Sequence, residues 1–137
     1  MNRRNLLIAI VLLGAAILSY RGFGVSDQPE TGAVMANVIA PELSGTSQDG
    51  EAAFNRFCAT CHGRNAAGQD GVAPPLIHKI YEPGHHGDAS FRLAVRNGVR
   101  AHHWPLGDMP PVEGITDREI EEIVVYVREL QRANGIY

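Results

Sequence analysis

The longest uninterrupted apolar run of the chain extends from Leu6 to Tyr20 and contains no charged residue. Arg3 and Arg4 precede it, and because arginines stay on the cytoplasmic side of a membrane, the rest of the chain is expected to face outward. As a helix the run would span about 22 Å, whereas the hydrocarbon core of a bilayer is about 30 Å thick. Length alone therefore favours a cleavable signal segment.

The residues that follow the run favour an uncleaved anchor instead. A signal peptidase requires small residues at this point, but the chain has Arg21 and Phe23 there, and the nearest small-x-small pattern is Val34-Met35-Ala36. If Arg21 reaches toward the interface, Phe23 and Val25 lengthen the apolar span. We therefore expect residues 1–25 to be a transmembrane anchor, with a removed signal segment as the alternative. Both place the remainder of the chain outside the cytoplasm.

Helical spacing begins after residues 26–46, a stretch rich in Gly, Pro, Ser and Thr that is typical of a tether. Gly50, Phe54 and Cys58 fall four residues apart on one face and predict a first helix. A middle helix is predicted to begin with Asp88 as its cap and to stop at Gly98. Its apolar positions are Phe91, Ala94 and Val95.

The last helix has the clearest local signals. Thr116 is a candidate N-cap, Glu119 completes a capping box with it, and Ile115 with Ile120 form a hydrophobic staple. No run of alternating apolar residues is long enough for a sheet, so we expect an all-α domain of three to five helices over residues 47–137. The predicted apolar face of the last helix consists of Ile120, Ile123, Val124, Val127 and Leu130.

Composition and charge indicate one acidic globular domain. The chain has 137 residues, of which 45% are hydrophobic and 20% charged, as in an ordinary domain with one added apolar segment. Three of its twelve Lys and Arg residues lie in the N-terminal segment, which leaves nine against fifteen Asp and Glu, a net charge of minus six. Arg92, Arg96 and Arg100 recur at four-residue spacing and indicate a local basic stripe. We expect no nucleic-acid partner.

Both cysteines belong to one pentapeptide, Cys58-Ala59-Thr60-Cys61-His62, which has the C-x-x-C-H spacing of c-type haem attachment. Two cysteines on one helical turn can each form a thioether with a haem vinyl group, and the following histidine then lies under the iron. A bare C-x-x-C would instead be a redox dithiol or half of a zinc site. Zinc needs two more ligands at similar spacing and a thioredoxin-like site needs a βαβ pattern, and neither is visible. The motif predicts one covalently bound haem c, with His62 as an iron ligand.

With this motif in place, residues 47–137 resemble the class I c-type cytochromes, of the bacterial monohaem kind. Pro74-Pro75-Leu76 is similar to the Pro-x-Leu element of that family. The resemblance implies that the Pro74 carbonyl accepts a hydrogen bond from the second ring nitrogen of His62. It also implies that Leu76 packs against the haem.

Two further parts of the domain resemble the same family. Met109 lies in the loop Gly107-Asp108-Met109-Pro110-Pro111, and the resemblance makes its thioether sulfur the second axial ligand of the iron. Trp104 is similar to the family tryptophan whose indole N–H bonds a haem propionate. The family also has a contact between its first and last helices, which the resemblance assigns to Gly50, Phe54 and Tyr126.

The domain contains five histidines besides His62, and two interpretations of them stay open. In the first they are solvated loop residues or propionate partners, because adjacent side chains diverge and do not easily chelate one metal. In the second some of them form another metal site, with copper as the preferred ion, or replace Met109 on the iron. The five are His78, His85, His86, His102 and His103.

With His62 and Met109 both on the iron, no coordination position is left for a substrate. We therefore expect an electron-transfer protein and not an enzyme, with no small-molecule substrate. The resemblance implies a single-electron carrier on the periplasmic face of a bacterial cytoplasmic membrane, between a quinol-oxidising complex or dehydrogenase and a terminal oxidase. Two alternatives are a haem sensor or peroxidase-like site with a labile Met109, and a copper-handling cytochrome that uses the histidine pairs.

Overall fold

The computed structural model describes residues 32–137, and within that range the regular secondary structure is helical. Backbone pairing outside the helices is limited to isolated bridges, so the described residues contain no strand. The prediction of an all-α domain is confirmed for this range. Two short 3-10 turns cover Arg64–Ala66 and Lys79–Tyr81. The four α-helices are α1 (Thr46–Phe57), α2 (Ala59–His62), α3 (Asp88–Asn97) and α4 (Asp117–Ala133).

The predicted membrane anchor, residues 1–25, lies outside the described residues, as does the first part of the predicted tether. Between residues 32 and 137, none of the helices has both the length and the apolar character needed to cross a bilayer.

Helices α1 and α4 cross at Gly50, which is buried against the backbone of α4. A side chain at this position would meet the Glu122 carbonyl and would approach Tyr126 Cβ to 2.9 Å, so only glycine permits the close crossing. Beside it the rings of Phe54 and Tyr126 lie with their centroids 5.4 Å apart, and both side chains are fully buried. The predicted contact between the first and last helices is therefore present.

The N-terminus of α4 has the cap that the sequence predicts. The Thr116 side chain accepts a hydrogen bond from the Glu119 backbone N–H, and the Glu119 carboxylate accepts one from the Thr116 backbone N–H. Ile115 and Ile120, the predicted staple, are both buried. Two free backbone N–H groups are thus satisfied where the loop enters the helix. Every member of the predicted apolar face is buried, namely Ile120, Ile123, Val124, Val127 and Leu130.

Helix α3 begins at Asp88, the residue predicted to be its cap, and the observed cap lies one residue earlier. Gly87 is the N-cap and has no capping side chain, whereas Asp88 lies in the first turn and accepts a hydrogen bond from Arg128 at 2.8 Å. The prediction that Asp88 caps this helix was therefore wrong, because a distant arginine binds its carboxylate. Gly98 does end the helix, with φ of 73°, a conformation that favours glycine.

The arginines predicted to form a basic stripe are largely neutralised by α4. Arg92 pairs with Glu121 and Arg96 pairs with Asp117, while Arg100 lies beyond the end of α3. The acidic residues of α4 are paired in the same way, so neither helix presents a face of one sign. Such exposed pairs add little to stability, because solvent screens the charges and the long side chains lose conformational freedom. Besides the buried Arg128–Asp88 pair, three further pairs on α4 are Arg56–Glu119, Arg118–Glu122 and Arg132–Glu129.

The described part of the predicted tether lies along the helical domain. Ala36 N–H donates to Ala67 O at 2.9 Å, and Asn134 forms hydrogen bonds with both the N–H and the carbonyl of Ile39. Val38 and Leu43 pack against the core. Residues 32–45 are thereby held to the loop that follows the haem motif and to the end of α4.

We expect Gly50→Ala to lower the free energy of unfolding by about 3 kcal/mol, because the added methyl group would force α1 and α4 apart. Alanine is intrinsically the better helix former by about 1 kcal/mol, so a loss would report the crossing itself. Guanidinium unfolding of the haem-loaded protein measures the change. Gly84→Ala is the matched control, because a Cβ there meets no atom within 4 Å. A Gly50→Ala protein as stable as the Gly84→Ala protein would contradict the close crossing.

Candidate functional site

The haem motif forms a tight helical turn between α1 and α2. Cys58 ends α1, and its carbonyl accepts hydrogen bonds from the N–H groups of Cys61 at 3.1 Å and His62 at 2.9 Å. This turn brings both cysteines and the histidine onto adjoining positions. Cys58 is half-buried, Cys61 is exposed, and the two sulfurs form no disulfide.

His62 is buried at the end of α2, and its ring orientation is fixed by Pro74. The Nδ1 atom lies 2.9 Å from the Pro74 carbonyl oxygen. Since a carbonyl only accepts, Nδ1 carries the proton, and Nε2 is left with its lone pair for a metal. Burial lowers the pKa of His62, and the Pro74 hydrogen bond opposes that change in part. The geometry thus favours a neutral imidazole that ligates through Nε2.

Gln69 was not among the predicted site residues, but its side chain supports the backbone of the motif. Its side chain is almost completely buried, and Nε2 lies within hydrogen-bonding distance of the carbonyls of Ala59, Thr60 and Cys61, at 3.3, 2.9 and 3.1 Å. The Thr60 and Cys61 carbonyls belong to the last turn of α2, where no later helical N–H can pair with them, whereas the Ala59 carbonyl also accepts from Gly63 N–H at 2.9 Å. Gln69 Oε1 also accepts from Gly32 N–H at 3.3 Å. A glutamine in a loop gives no sequence signal for such a role.

The loop between the motif and Leu76 has a constrained backbone. Asn65 and Ala66 both have positive φ, 54° and 58°, which costs on the order of 1–3 kcal/mol for each such residue. The Ala66 carbonyl accepts from Leu76 N–H at 2.9 Å, and a Cβ at Gly68 would lie 2.8 Å from Pro75 Cδ. This packing places Pro74 beside His62 and leaves the Leu76 side chain half-buried.

The described residues argue against both alternative interpretations of C-x-x-C. Burial, followed by the neighbouring Cys61, raises the pKa of Cys58 to about 12. A redox dithiol needs the opposite shift, because the thiolate is the reactive form. Among residues 32–137, neither cysteine belongs to a group of three potential metal ligands, so no zinc site forms around the motif.

Met109 is anchored to the C-terminal end of α3. Its N–H and carbonyl both pair with Val99, each at 2.9 Å, and a Cβ at Gly98 would approach the Met109 carbonyl oxygen to 2.5 Å. Within the loop between them, Asp108 Oδ1 accepts from Ala101 N–H at 2.8 Å. The Met109 side chain is half-buried. Two backbone hydrogen bonds therefore fix the position from which its thioether extends.

Trp104 has a buried indole nitrogen without a hydrogen-bond partner, the only such side-chain atom within residues 32–137. The indole N–H is close enough to Tyr81 to lower the pKa of that phenol, against the larger effect of burial, which raises it. The contact between the indole N–H and Tyr81 does not have the geometry of a hydrogen bond, so the indole N–H has no acceptor among the described residues. The Trp104 ring also meets His78 edge to face, with centroids 5.2 Å apart.

Four of the five additional histidines converge on one surface. His85 and His86 have ring centroids 4.7 Å apart, and His103 lies 5.5 Å from the first and 5.1 Å from the second. His102 is next to His103, with a centroid distance of 4.1 Å, whereas His78 contacts Trp104. The expectation that adjacent histidine side chains diverge does not hold here.

Arg128 is a second buried polar residue that the sequence analysis did not identify. It donates to Asp88 Oδ1 at 2.8 Å, Tyr81 O at 2.8 Å, Gln131 Oε1 at 2.5 Å and His86 O at 2.5 Å. A buried charge is tolerated only when it is paired and fully hydrogen-bonded, as here. It connects α4 to the start of α3 and to the loop before it. The sequence signal that could have identified Arg128 is a charged residue at helical spacing on the apolar face of α4.

The Cytochrome c family model matches residues 47–131, so the chain belongs to the cytochrome c family. This family carries covalently attached haem c, and its general function is electron transfer. No curated protein matches the chain in sequence. The predictions of a c-type cytochrome and of haem c as its cofactor are confirmed at this level.

Haem c fits the residues present. His62 offers Nε2, Cys58 and Cys61 lie on one turn with unpaired sulfurs, and the Trp104 indole N–H lacks an acceptor that a propionate would supply. Apolar side chains beside the motif, including Phe57, are half-buried although they pack on the core. A flat apolar cofactor would cover such a surface.

We expect Gln69→Leu to reduce the free energy of unfolding of the haem-loaded protein by about 2 kcal/mol, because the α2 carbonyls lose a buried donor. Denaturant unfolding followed through haem absorption measures this loss. Gln48→Leu is the control, since Gln48 is exposed on α1 and should change stability by no more than about 0.5 kcal/mol. Equal effects of the two substitutions would show that Gln69 does not stabilise the motif.

Proposed function

We propose that this protein is a class I, monohaem c-type cytochrome that carries single electrons, with His62 and Met109 as the residues that would ligate the haem iron. The observation that carries the proposal is the His62–Pro74 hydrogen bond, which commits Nδ1 to the protein and Nε2 to the metal. Haem c, when bound, supplies reversible one-electron exchange of its iron. Two protein ligands leave no position for a substrate, so substrate chemistry at the iron is not expected.

Each remaining site residue has a supporting role in this proposal. Cys58 and Cys61 attach the porphyrin through thioethers, so the cofactor cannot dissociate between reactions. Pro74 fixes the imidazole and increases its basicity, as outer partners of ligating histidines do. Leu76 packs on the haem and keeps water from it. Trp104 donates its indole N–H to a propionate, which satisfies an otherwise costly buried donor.

Met109 is proposed as the ligand that sets the potential. A neutral, soft sulfur favours the reduced iron and raises the reduction potential. The Val99 pairing holds the backbone of this residue in place through two hydrogen bonds. A prearranged ligand loop suits electron transfer, because little has to move when the iron changes oxidation state.

We further propose that the haem domain is on the periplasmic face of a bacterial cytoplasmic membrane, held by a single transmembrane segment. The support is in the sequence, where Arg3 and Arg4 precede the apolar run from Leu6 to Tyr20. Donors would be a quinol-oxidising complex or a dehydrogenase, and the acceptor a terminal oxidase. Contacts with such partners are small and short-lived. Membrane attachment would raise the local concentration of partner.

We expect Met109→His to lower the reduction potential by on the order of 100 mV and to abolish the long-wavelength band of sulfur on ferric iron. An imidazole replaces the thioether and stabilises the oxidised state. Potentiometric titration followed by absorption measures both effects. Met35→Leu is the matched control, because it replaces a half-buried methionine outside the Met109 loop with a residue of similar volume.

The natural protein should show this band at neutral pH and should not bind carbon monoxide when reduced. Absence of the band together with rapid carbon monoxide binding would contradict the carrier function. That outcome would favour the sensor or peroxidase-like alternative, in which Met109 leaves the iron. An unchanged potential in Met109→His would show that another residue is the ligand.

A further inference from the structure

We propose that His85, His86 and His103 form a binding site for a divalent transition-metal ion, separate from the haem iron. The three side chains each offer a ring nitrogen, and these nitrogens all lie within 4.8 Å of one another. In the described part of the chain no other group of three such ligands comes this close. The site goes beyond the proposed electron-carrier function and does not depend on Met109.

The distances between the three ring nitrogens are close to those between the ligands of one bound metal ion. Imidazole nitrogens lie about 2.0–2.1 Å from zinc, so two of them on one tetrahedral ion are about 3.3 Å apart. The present nitrogens must therefore approach by on the order of 1.5 Å. His85 and His103 are exposed and can rotate about their side-chain bonds, so the backbone need not move.

Local backbone geometry explains why the adjacent pair converges. The N–H groups of His85 and His86 both donate to the Glu82 carbonyl, at 3.0 and 2.8 Å. This places both residues on one tight turn before α3. Their rings consequently lie against each other and do not point to opposite sides as they would in an extended chain.

His86 is the fixed member of the site. Its Nδ1 lies 2.6 Å from the Ile80 carbonyl, so Nδ1 donates and Nε2 is left to ligate. Its own carbonyl accepts from buried Arg128 at 2.5 Å. An N–H donated to a backbone carbonyl is the usual outer partner of a metal-ligating histidine. Side chain and backbone of His86 are both restrained before any metal binds.

The donor set identifies the class of ion. Neutral imidazoles without carboxylates or thiolates suit copper, zinc and nickel, whereas calcium and magnesium require oxygen ligands. Among these ions Cu²⁺ should bind most tightly. Three protein ligands leave a fourth position for water, or for His102 after rotation of its ring, which now lies 6.2 Å from that of His86.

The site would connect two loops of the domain. His85 and His86 precede α3, whereas His103 belongs to the loop between Val99 and Met109 and is next to Trp104. An ion held by all three would bridge these segments. Because metal binds the folded arrangement only, it should raise the stability of the protein as its concentration exceeds the dissociation constant.

Calorimetric titration of the oxidised, haem-loaded full chain with Zn²⁺ and, separately, Cu²⁺ tests the proposal, with protein purified without a histidine tag. We expect the natural chain to bind one ion. The double variant His85→Asn with His103→Asn should lose affinity by more than the roughly 100-fold that mutations of outer partners reach, because it lacks two of the three ligands. His78→Asn is the matched control and should keep the natural affinity, since His78 contacts Trp104 and an asparagine can still accept from Ile80 N–H.

An unchanged haem spectrum of the double variant establishes that it folds. X-ray absorption at the zinc edge should then show imidazole nitrogens at about 2.0 Å in the natural protein and in His78→Asn. The proposal is overturned if the double variant binds like the natural chain, if His78→Asn loses binding equally, or if the natural chain binds no stoichiometric ion. None of these outcomes depends on which residue opposes His62 on the iron.

Discussion

The hydrogen bond from His62 Nδ1 to the Pro74 carbonyl is the contact on which the rest of this molecule depends. It decides the tautomer, the direction of the imidazole and the nitrogen that is left free for a metal. The fold brings its two ends together at a cost, through consecutive left-handed residues at Asn65 and Ala66. Other contacts hold the two partners of this bond in place. On the His62 side, Gln69 donates to carbonyls of the helix that carries His62. On the Pro74 side, the Leu76 carbonyl accepts from Gln131 of α4 at 2.9 Å.

Buried polar side chains connect the loops to the helices in this domain. Gln69, Arg128 and Gln131 are all largely buried, and each satisfies backbone carbonyls of loops or short helices that have no strand or long helix to pair with. A domain whose interior is completed by a cofactor has few apolar contacts to hold such loops. Hydrogen bonds from fixed, buried donors supply that restraint, because leaving the carbonyls unpaired would cost more than burying the donors.

The sequence predicted the features that depend on neighbours in the chain. The capping box at Thr116 and Glu119, the stop at Gly98 and the apolar face of α4 follow from local spacing, and the haem motif is contiguous. Features that depend on distant residues were missed unless the family resemblance supplied them, as it did for the Phe54–Tyr126 contact and the His62–Pro74 hydrogen bond. Asp88 looked like a cap because its partner, Arg128, is forty residues away. A metal site among the five histidines stayed open, but the sequence could not tell which of them come together, because His103 meets His85 only after folding.

The loop between Val99 and Met109 is fixed at its ends and exposed in its middle. Its ends are fixed, because Met109 pairs with Val99 through two backbone hydrogen bonds and packs on Gly98. The residues between are mostly exposed, and His102 and His103 lie among them. For either histidine to take the ligand position proposed for Met109, the Val99 pairing would have to break or the loop would have to fold inward past Trp104. Local opening of that kind is governed by the few contacts of the exposed segment. A metal held by His103, His85 and His86 would oppose it, since it would attach the middle of the loop to the turn before α3.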